Sequence, residues 1–262
     1  MENILIIKNI LKKLKIHPVF FFLIFASVLT GLFKEFSIFF IIIFVHEIGH
    51  VISATYYHWN IKTINFYPFG GLIKFDEQIN KPIKEELIIV ISGLFMQSLL
   101  YFFICILHNF YYISDNLFFA FQKYHYSILL FNLLPIYPLD GIKIINLLFS
   151  KIFPYKFSHL LSLIISYIFI VIFIIYSFKN SLSMNTLLII SLLISKLIEE
   201  RKNHKYYFNK FVFERYLYNF NFKSIKIINN NKIKKMYRDK KHVFKVNKDY
   251  VTEKNMLKNK FK

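Results

Sequence analysis

Long apolar runs, separated by short lysine-bearing loops, fill the first three quarters of the chain. A helix that crosses a bilayer needs about 20 mainly apolar residues, and six stretches approach that length. They run from about Pro18 to Phe33, Phe36 to Tyr56, Glu86 to Leu107, Tyr124 to Leu139, Phe157 to Phe178 and Leu182 to Leu197. The fourth is short and is broken by Pro135 and Pro138, which cannot continue a helix. Phe110–Phe121 is aromatic and short, and reads as an interfacial segment. Ile61–Phe75 lacks helical periodicity. Tyr67-Pro68-Phe69-Gly70-Gly71 is turn chemistry between two short apolar stretches, so this segment reads as a hairpin dipping toward the membrane. Such backbone is tolerated at depth only against protein or a water-filled cavity.

From Glu199 onward the pattern changes. Ile225–Ile228 reads as a strand, Asn231–Lys241 as a helix and Val243–Val246 as a second strand. The expected fold is an all-α membrane protein. It has about six transmembrane helices, a small re-entrant β-hairpin and a short cytoplasmic α/β tail. Residues 1–198 form the transmembrane domain and residues 199–262 the basic tail.

Composition agrees, with 56 % hydrophobic residues, a high share for a soluble chain. The formal net charge of +19 would suit a nucleic-acid binder, but its placement argues against one. Most of the excess follows Glu200, and the rest flanks apolar segments, where basic residues set topology or touch anionic lipid. Lysines crowd the N-terminal segment, the loop with Lys62, Lys74, Lys81 and Lys84, the loop with Lys143, Lys151 and Lys156, and the tail. Basic loops stay cytoplasmic. Both termini are therefore expected in the cytoplasm, which six spans satisfy. The lone Cys105 forms neither an internal disulfide nor a metal site by itself.

The chemistry concentrates at His46-Glu47-Ile48-Gly49-His50. On a helix, residues four apart share a face, so both imidazoles can bind one Zn²⁺. Glu47 then lies beside the metal as a general base. Charge inside an apolar run costs a few kcal/mol unless it has a partner or a function. Catalytic zinc takes a third protein ligand and leaves one position open. Asp140, in Asn132-Leu133-Leu134-Pro135-Ile136-Tyr137-Pro138-Leu139-Asp140-Gly141, is the candidate: the prolines end the helix and Gly141 lets the backbone turn. One Zn²⁺ per chain is expected. His17, His108, His125, His159, His204 and His242 lack ligand-spaced partners and read as structural or solvated.

These two motifs, in this order and hydrophobic setting, resemble the site-2 protease family of intramembrane zinc metalloproteases. The resemblance covers roughly residues 15–220. The absence of an insertion between the motifs, Tyr67-Pro68-Phe69-Gly70-Gly71 and Phe213-Glu214-Arg215-Tyr216 resemble the compact sporulation-type branch. The resemblance implies that His46, His50 and Asp140 bind zinc and that Glu47 activates water. It implies that Asn132 positions the substrate backbone or the oxyanion, and that Pro135 and Pro138 shape the site. Gly93 is the close-packing glycine of a core helix, and Gln97, where many relatives carry Asn, receives no polar role. The implied activity is regulated intramembrane proteolysis of a membrane-associated protein, such as a pro-sigma factor during sporulation, with membrane inhibitors or regulators as further partners. The implied location is the bacterial cytoplasmic membrane or the membrane around a forespore. Branch members usually end in a CBS domain; this tail is too short and too lysine-rich for a complete one, and the resemblance implies a truncated CBS-like unit at 199–262. Rival readings are a general member that clips anti-sigma factors or remnant signal peptides, an inactive membrane scaffold, and a transporter.

Overall fold

In the computed structural model, the described residues are 14–16, 18–67, 70–75, 79–179, 183–222, 224–229, 232–246 and 249–261. The chain divides into two units, Met1–Glu77 with Ile88–Asn132, and Gln78–Leu87 with Leu133–Lys262.

The first unit begins with strand β1 (Leu14–Ile16) and helix α1 (Pro18–Leu29). At 12 residues, α1 is roughly 18 Å long, short of the roughly 30 Å hydrocarbon layer. It closes at Gly31, whose positive φ of 72° suits a residue without a Cβ. Helix α2 (Phe33–Tyr56) carries the His-Glu cluster. Strands β2 (Ile61–Tyr67) and β3 (Gly70–Phe75) form the expected antiparallel hairpin. The turn residues Pro68 and Phe69 lie outside the described residues. The short β1 pairs in parallel with β2, giving the order β1-β2-β3 and leaving β3 as the outer strand on the other side. Helix α3 (Ile83–Asn109) follows.

Helix α4 (Asp115–Leu133) corrects the expectation for Phe110–Phe121: residues 115–121 are its first two turns. Asp115 favours a helix start there. Phe121, His125 and Ile128 recur at helical spacing and are buried. Phe121 and Ile128 share a cluster with Ile38, Ile42 and Ile43 of α2.

In the second unit a non-helical segment, 134–139, leads into helix α5 (Asp140–Ile152), then α6 (Tyr155–Lys179) and α7 (Met184–Leu217). Ser183 caps α7 in a reciprocal box with Thr186. α7 then runs unbroken for 34 residues, past residues 198 and 199. Strands β4 (Ile225–Asn229) and β5 (Lys241–Val246) are parallel, and β6 (Asp249–Thr252) joins β5 antiparallel. Helix α8 (Glu253–Phe261) ends the chain. The helix expected over Asn231–Lys241 is instead one 3₁₀ turn at Ile233–Lys235.

Phe213-Glu214-Arg215-Tyr216 is structural. Buried Arg215 donates to Asn80 Oδ1 (2.7 Å), Glu253 Oε1 (3.0 Å) and the Lys240 carbonyl (2.8 Å). Its guanidinium lies over the rings of Phe211 and Phe222. A buried charge is tolerable only when it is paired in this way.

Among the described residues, α2, α3 and α6 are long and apolar enough to cross a membrane, with mean hydropathies of 1.9, 2.3 and 2.6. Only 39 %, 22 % and 28 % of those windows are buried. Their apolar side chains therefore face outward, a surface made for lipid rather than water. Three of the six expected spans meet these criteria among the described residues. α1 is too short, and α4 and the charged second half of α7 are too polar.

Candidate metal centre

One turn of α2 places His46, Glu47 and His50 in the protein interior, at 3 %, 8 % and 7 % exposure. The imidazoles face each other, Nε2 to Nε2, at 3.2 Å. Which nitrogens carry protons follows from the partners. His50 Nδ1 lies 2.7 Å from the Ile89 carbonyl oxygen, which only accepts, so Nδ1 donates. Gln97 Nε2 donates to the His125 carbonyl at 3.0 Å, turning Gln97 Oε1 toward His46 Nδ1 at 3.2 Å. His46 Nδ1 is therefore also a donor. With Nδ1 engaged in this way, each ring turns its Nε2 toward the same point, the arrangement that two imidazole ligands of one metal ion take.

The donor set fits zinc. Two nitrogens about 2.05 Å from a tetrahedral zinc stand about 3.3 Å apart, close to the observed 3.2 Å. The fixed Nδ1–H bonds are the support that orients metal-binding histidines. The space is kept open by Gly93 on α3. A Cβ there would come within 3.0 Å of His50 Nε2 and Cε1 and of His46 Nε2. Gly49 brings the two helices together: a Cβ there would press on the Ser92 carbonyl and Met96 Cγ. Ser92 Oγ also bonds the Gly49 carbonyl at 2.9 Å. Glu47 precedes His50 by three residues and so shares its side of the helix.

Gln97 corrects the sequence reading. It is fully buried, and both ends of its amide are used. Its signal was its place one turn from Gly93 in an apolar helix. His125 is part of the same support: its carbonyl holds Gln97, and its ring stacks on Tyr101 at 4.3 Å between centroids.

In the second unit, Asp140 is the first residue of α5 and is buried (4 %). A helix N-terminus favours an anionic side chain. Its Oδ1 accepts from Lys143 Nζ at 2.9 Å. Gly141 lies within the first turn of α5 and is not a loop residue. It is needed for close approach, because a Cβ would collide with the Leu133 and Leu134 carbonyls. Pro135 is buried, and Pro138 follows Tyr137 through a cis peptide. Asn146 donates to Tyr137 Oη at 3.0 Å, tying α5 to this segment. Asn132, half-buried at the end of α4, belongs to the first unit.

The other histidines are less scattered than their sequence positions suggest. His159 sits between His204 (Nδ1 to Nδ1, 2.6 Å) and Glu200 (Nε2 to Oε1, 3.0 Å). Burial, then the adjacent His159, push His204 down to about 4. His242 is buried against Glu253, with Nδ1 to Oε2 at 3.0 Å.

Comparison with known proteins is consistent with this geometry. The model of peptidase family M50 matches residues 35–127. Over 209 residues the chain is 34 % identical to Stage IV sporulation protein FB of Bacillus subtilis, covering 79 % of this chain and 73 % of that protein. It is 29 % identical over 181 residues to zinc metalloprotease MJ0392 of Methanocaldococcus jannaschii, which spans 64 % of this chain and 52 % of that protein. The solved site-2 protease from Methanocaldococcus jannaschii superposes with a TM-score of 0.57 at 23 % identity, over 71 % of this chain and 89 % of that one. That likeness speaks for the fold. A relative matched at this identity over nearly three quarters of its length carries more: the chain belongs to peptidase family M50, the site-2 protease family of zinc metalloproteases.

Proposed function

We propose that the chain is an intramembrane zinc endopeptidase in which His46, His50 and Asp140 hold one Zn²⁺ and Glu47 is the general base. The observation that carries this reading is the convergence of the His46 and His50 Nε2 atoms to 3.2 Å on one face of an apolar helix, with each Nδ1 engaged elsewhere. The place of Asp140 in the second motif and its burial support it as the third ligand. When bound, zinc lowers the pKa of its water toward about 7 and polarises the scissile carbonyl. Glu47 takes a proton from the attacking water and returns it to the leaving amine. Gln97 and the Ile89 carbonyl keep the imidazoles in the tautomer that presents Nε2. Asn132 positions the substrate backbone, and Pro135 and Pro138 shape the segment before Asp140.

A helical substrate buries its carbonyls in hydrogen bonds and must unwind before attack. The outer strand β3 is the edge on which an opened segment adds by backbone pairing. The substrate is a membrane-associated protein. The 34 % identity to a sporulation protein favours a membrane-tethered transcription factor precursor over an anti-sigma factor or a remnant signal peptide. The reading includes six membrane segments, with both termini in the cytoplasm.

The test is a zinc count on purified protein beside a cleavage assay in the same detergent. The expected result is one zinc per chain, lost in His46→Ala and kept in Glu47→Gln, with cleavage absent from both. Normal proteolysis by Glu47→Gln would remove the base assignment. An unaltered zinc count in His46→Ala would remove the metal site.

A further inference from the structure

In the first unit, α3 ends in a turn that carries three exposed aromatic side chains. The Tyr111 N–H bonds the His108 carbonyl at 2.9 Å, and the Tyr112 N–H bonds the Leu107 carbonyl at 3.0 Å. This pair of bonds is the Schellman closure of a helix, whose left-handed position is usually glycine. Here that position is Tyr111, at a φ of 61°. A Cβ at such a φ crowds the backbone, a cost that glycine does not carry. Nothing inside the chain offsets it, because Tyr111 is 95 % exposed. Phe110 and Tyr112 beside it are largely exposed as well. Strain held at a residue that presents its side chain outward points to a contact beyond the chain.

The surroundings say what that contact is. Phe95, Phe102, Phe103 and Ile106 are exposed on the helix just before the turn, so the lipid-facing surface of α3 runs directly into the aromatic triplet. Just past it, His108 pairs with the exposed Asp115 at 2.9 Å, which marks the onset of a watery level. At its other end α3 opens with Lys84, Glu85 and Glu86. From Glu86 to Asn109 the helix rises roughly 35 Å, slightly more than the roughly 30 Å hydrocarbon layer. With the charged first turn at one face of the bilayer, the aromatic turn falls at the other.

We propose that Phe110-Tyr111-Tyr112 is a membrane anchor, whose rings lie in the boundary between headgroups and acyl chains of one leaflet and fix the depth of α3. Aromatic rings favour that level, and a tyrosine there buries its ring while its hydroxyl stays hydrated. The inference rests on α3 being a membrane span. It is independent of the metal chemistry.

Fluorescence quenching by brominated lipid tests the assignment. The chain has one tryptophan, Trp59, so Trp59→Phe gives a background into which Tyr111→Trp, Tyr112→Trp or Phe102→Trp each places a single probe. The full chain is reconstituted into phosphatidylcholine vesicles whose acyl chains carry bromine either near the headgroup or near the chain end. Tyr111→Trp and Tyr112→Trp should lose emission chiefly to the shallow bromine, and Phe102→Trp chiefly to the deep one. Two turn probes that neither bromine quenches, beside a Phe102→Trp that the deep bromine does quench, would overturn the anchor and leave the span standing. That result would assign the turn to water or to a protein partner. Turn probes quenched chiefly by the deep bromine would overturn the depth assignment. A Phe102→Trp that neither bromine quenches would overturn the span, and the anchor with it.

Discussion

Gly93→Ala adds one methyl group where the metal is expected. Its carbon would lie within 3.0 Å of three imidazole atoms, two of them the Nε2 atoms that face each other. Ordinary carbon–nitrogen contact is about 3.5 Å, so either the rings or α3 must move by about 1 Å. Overpacking of that kind costs about 1–3 kcal/mol. Replacing glycine by alanine inside a helix returns about 1 kcal/mol, so the net destabilisation is roughly 0–2 kcal/mol and the variant folds. Metal binding has no such compensation, because the methyl crowds both Nε2 atoms and turns the rings away from Gln97 and Ile89. Zinc should fall from one per chain to below about one tenth, with a melting temperature lowered by no more than a few degrees. Elemental analysis of gel-filtered protein, run beside a thermal melt, reads both. A variant that keeps full zinc and full cleavage would refute the geometry, because the two imidazoles could not then share a metal across Gly93.

Gln97→Leu removes the acceptor at His46 Nδ1 while keeping the volume, so zinc affinity should fall about 10–100-fold in chelator competition, with little change in fold. Asp140→Asn should lose zinc more readily than wild type in the same assay, whereas Lys143→Gln should keep the metal. The contribution of the His242–Glu253 pair to the stability of the second unit should decline as pH falls. Burial holds His242 below the ordinary imidazole value, and His242 with Arg215 outweighs burial to hold Glu253 below the ordinary carboxylate value. Both groups bind protons more readily when unfolded, so their contribution is complete above about pH 6.5 and drains away through pH 4. His242→Gln should therefore cost more melting temperature at pH 7 than at pH 4, and an equal cost at both would contradict this. Reporter fusions at residues 60, 110 and 180 and at the C-terminus test the proposed arrangement of membrane segments.

The chemistry of the centre was legible in the chain because it obeys local rules. The four-residue step from His46 to His50 sets both rings on one helix face whatever the rest of the fold does, and the apolar run around them marks a buried site. The hairpin was legible for the same reason: Tyr67-Pro68-Phe69-Gly70-Gly71 is turn chemistry between two short apolar stretches. What the chain alone left open depends on partners distant in sequence. Gln97 and Ile89 acquire their roles only when α3 packs on α2 through Gly49 and Gly93, and only then do the Nδ1–H bonds fix the tautomers. β1 exists only because β2 offers it an edge 50 residues away. Arg215 is a bland charge in the sequence but becomes the centre of a buried network once Asn80 and Glu253 arrive from opposite ends of the second unit. Helix periodicity is written in neighbouring residues, whereas close approach and proton placement belong to the packed structure, because they are decided by atoms that the chain brings together only on folding.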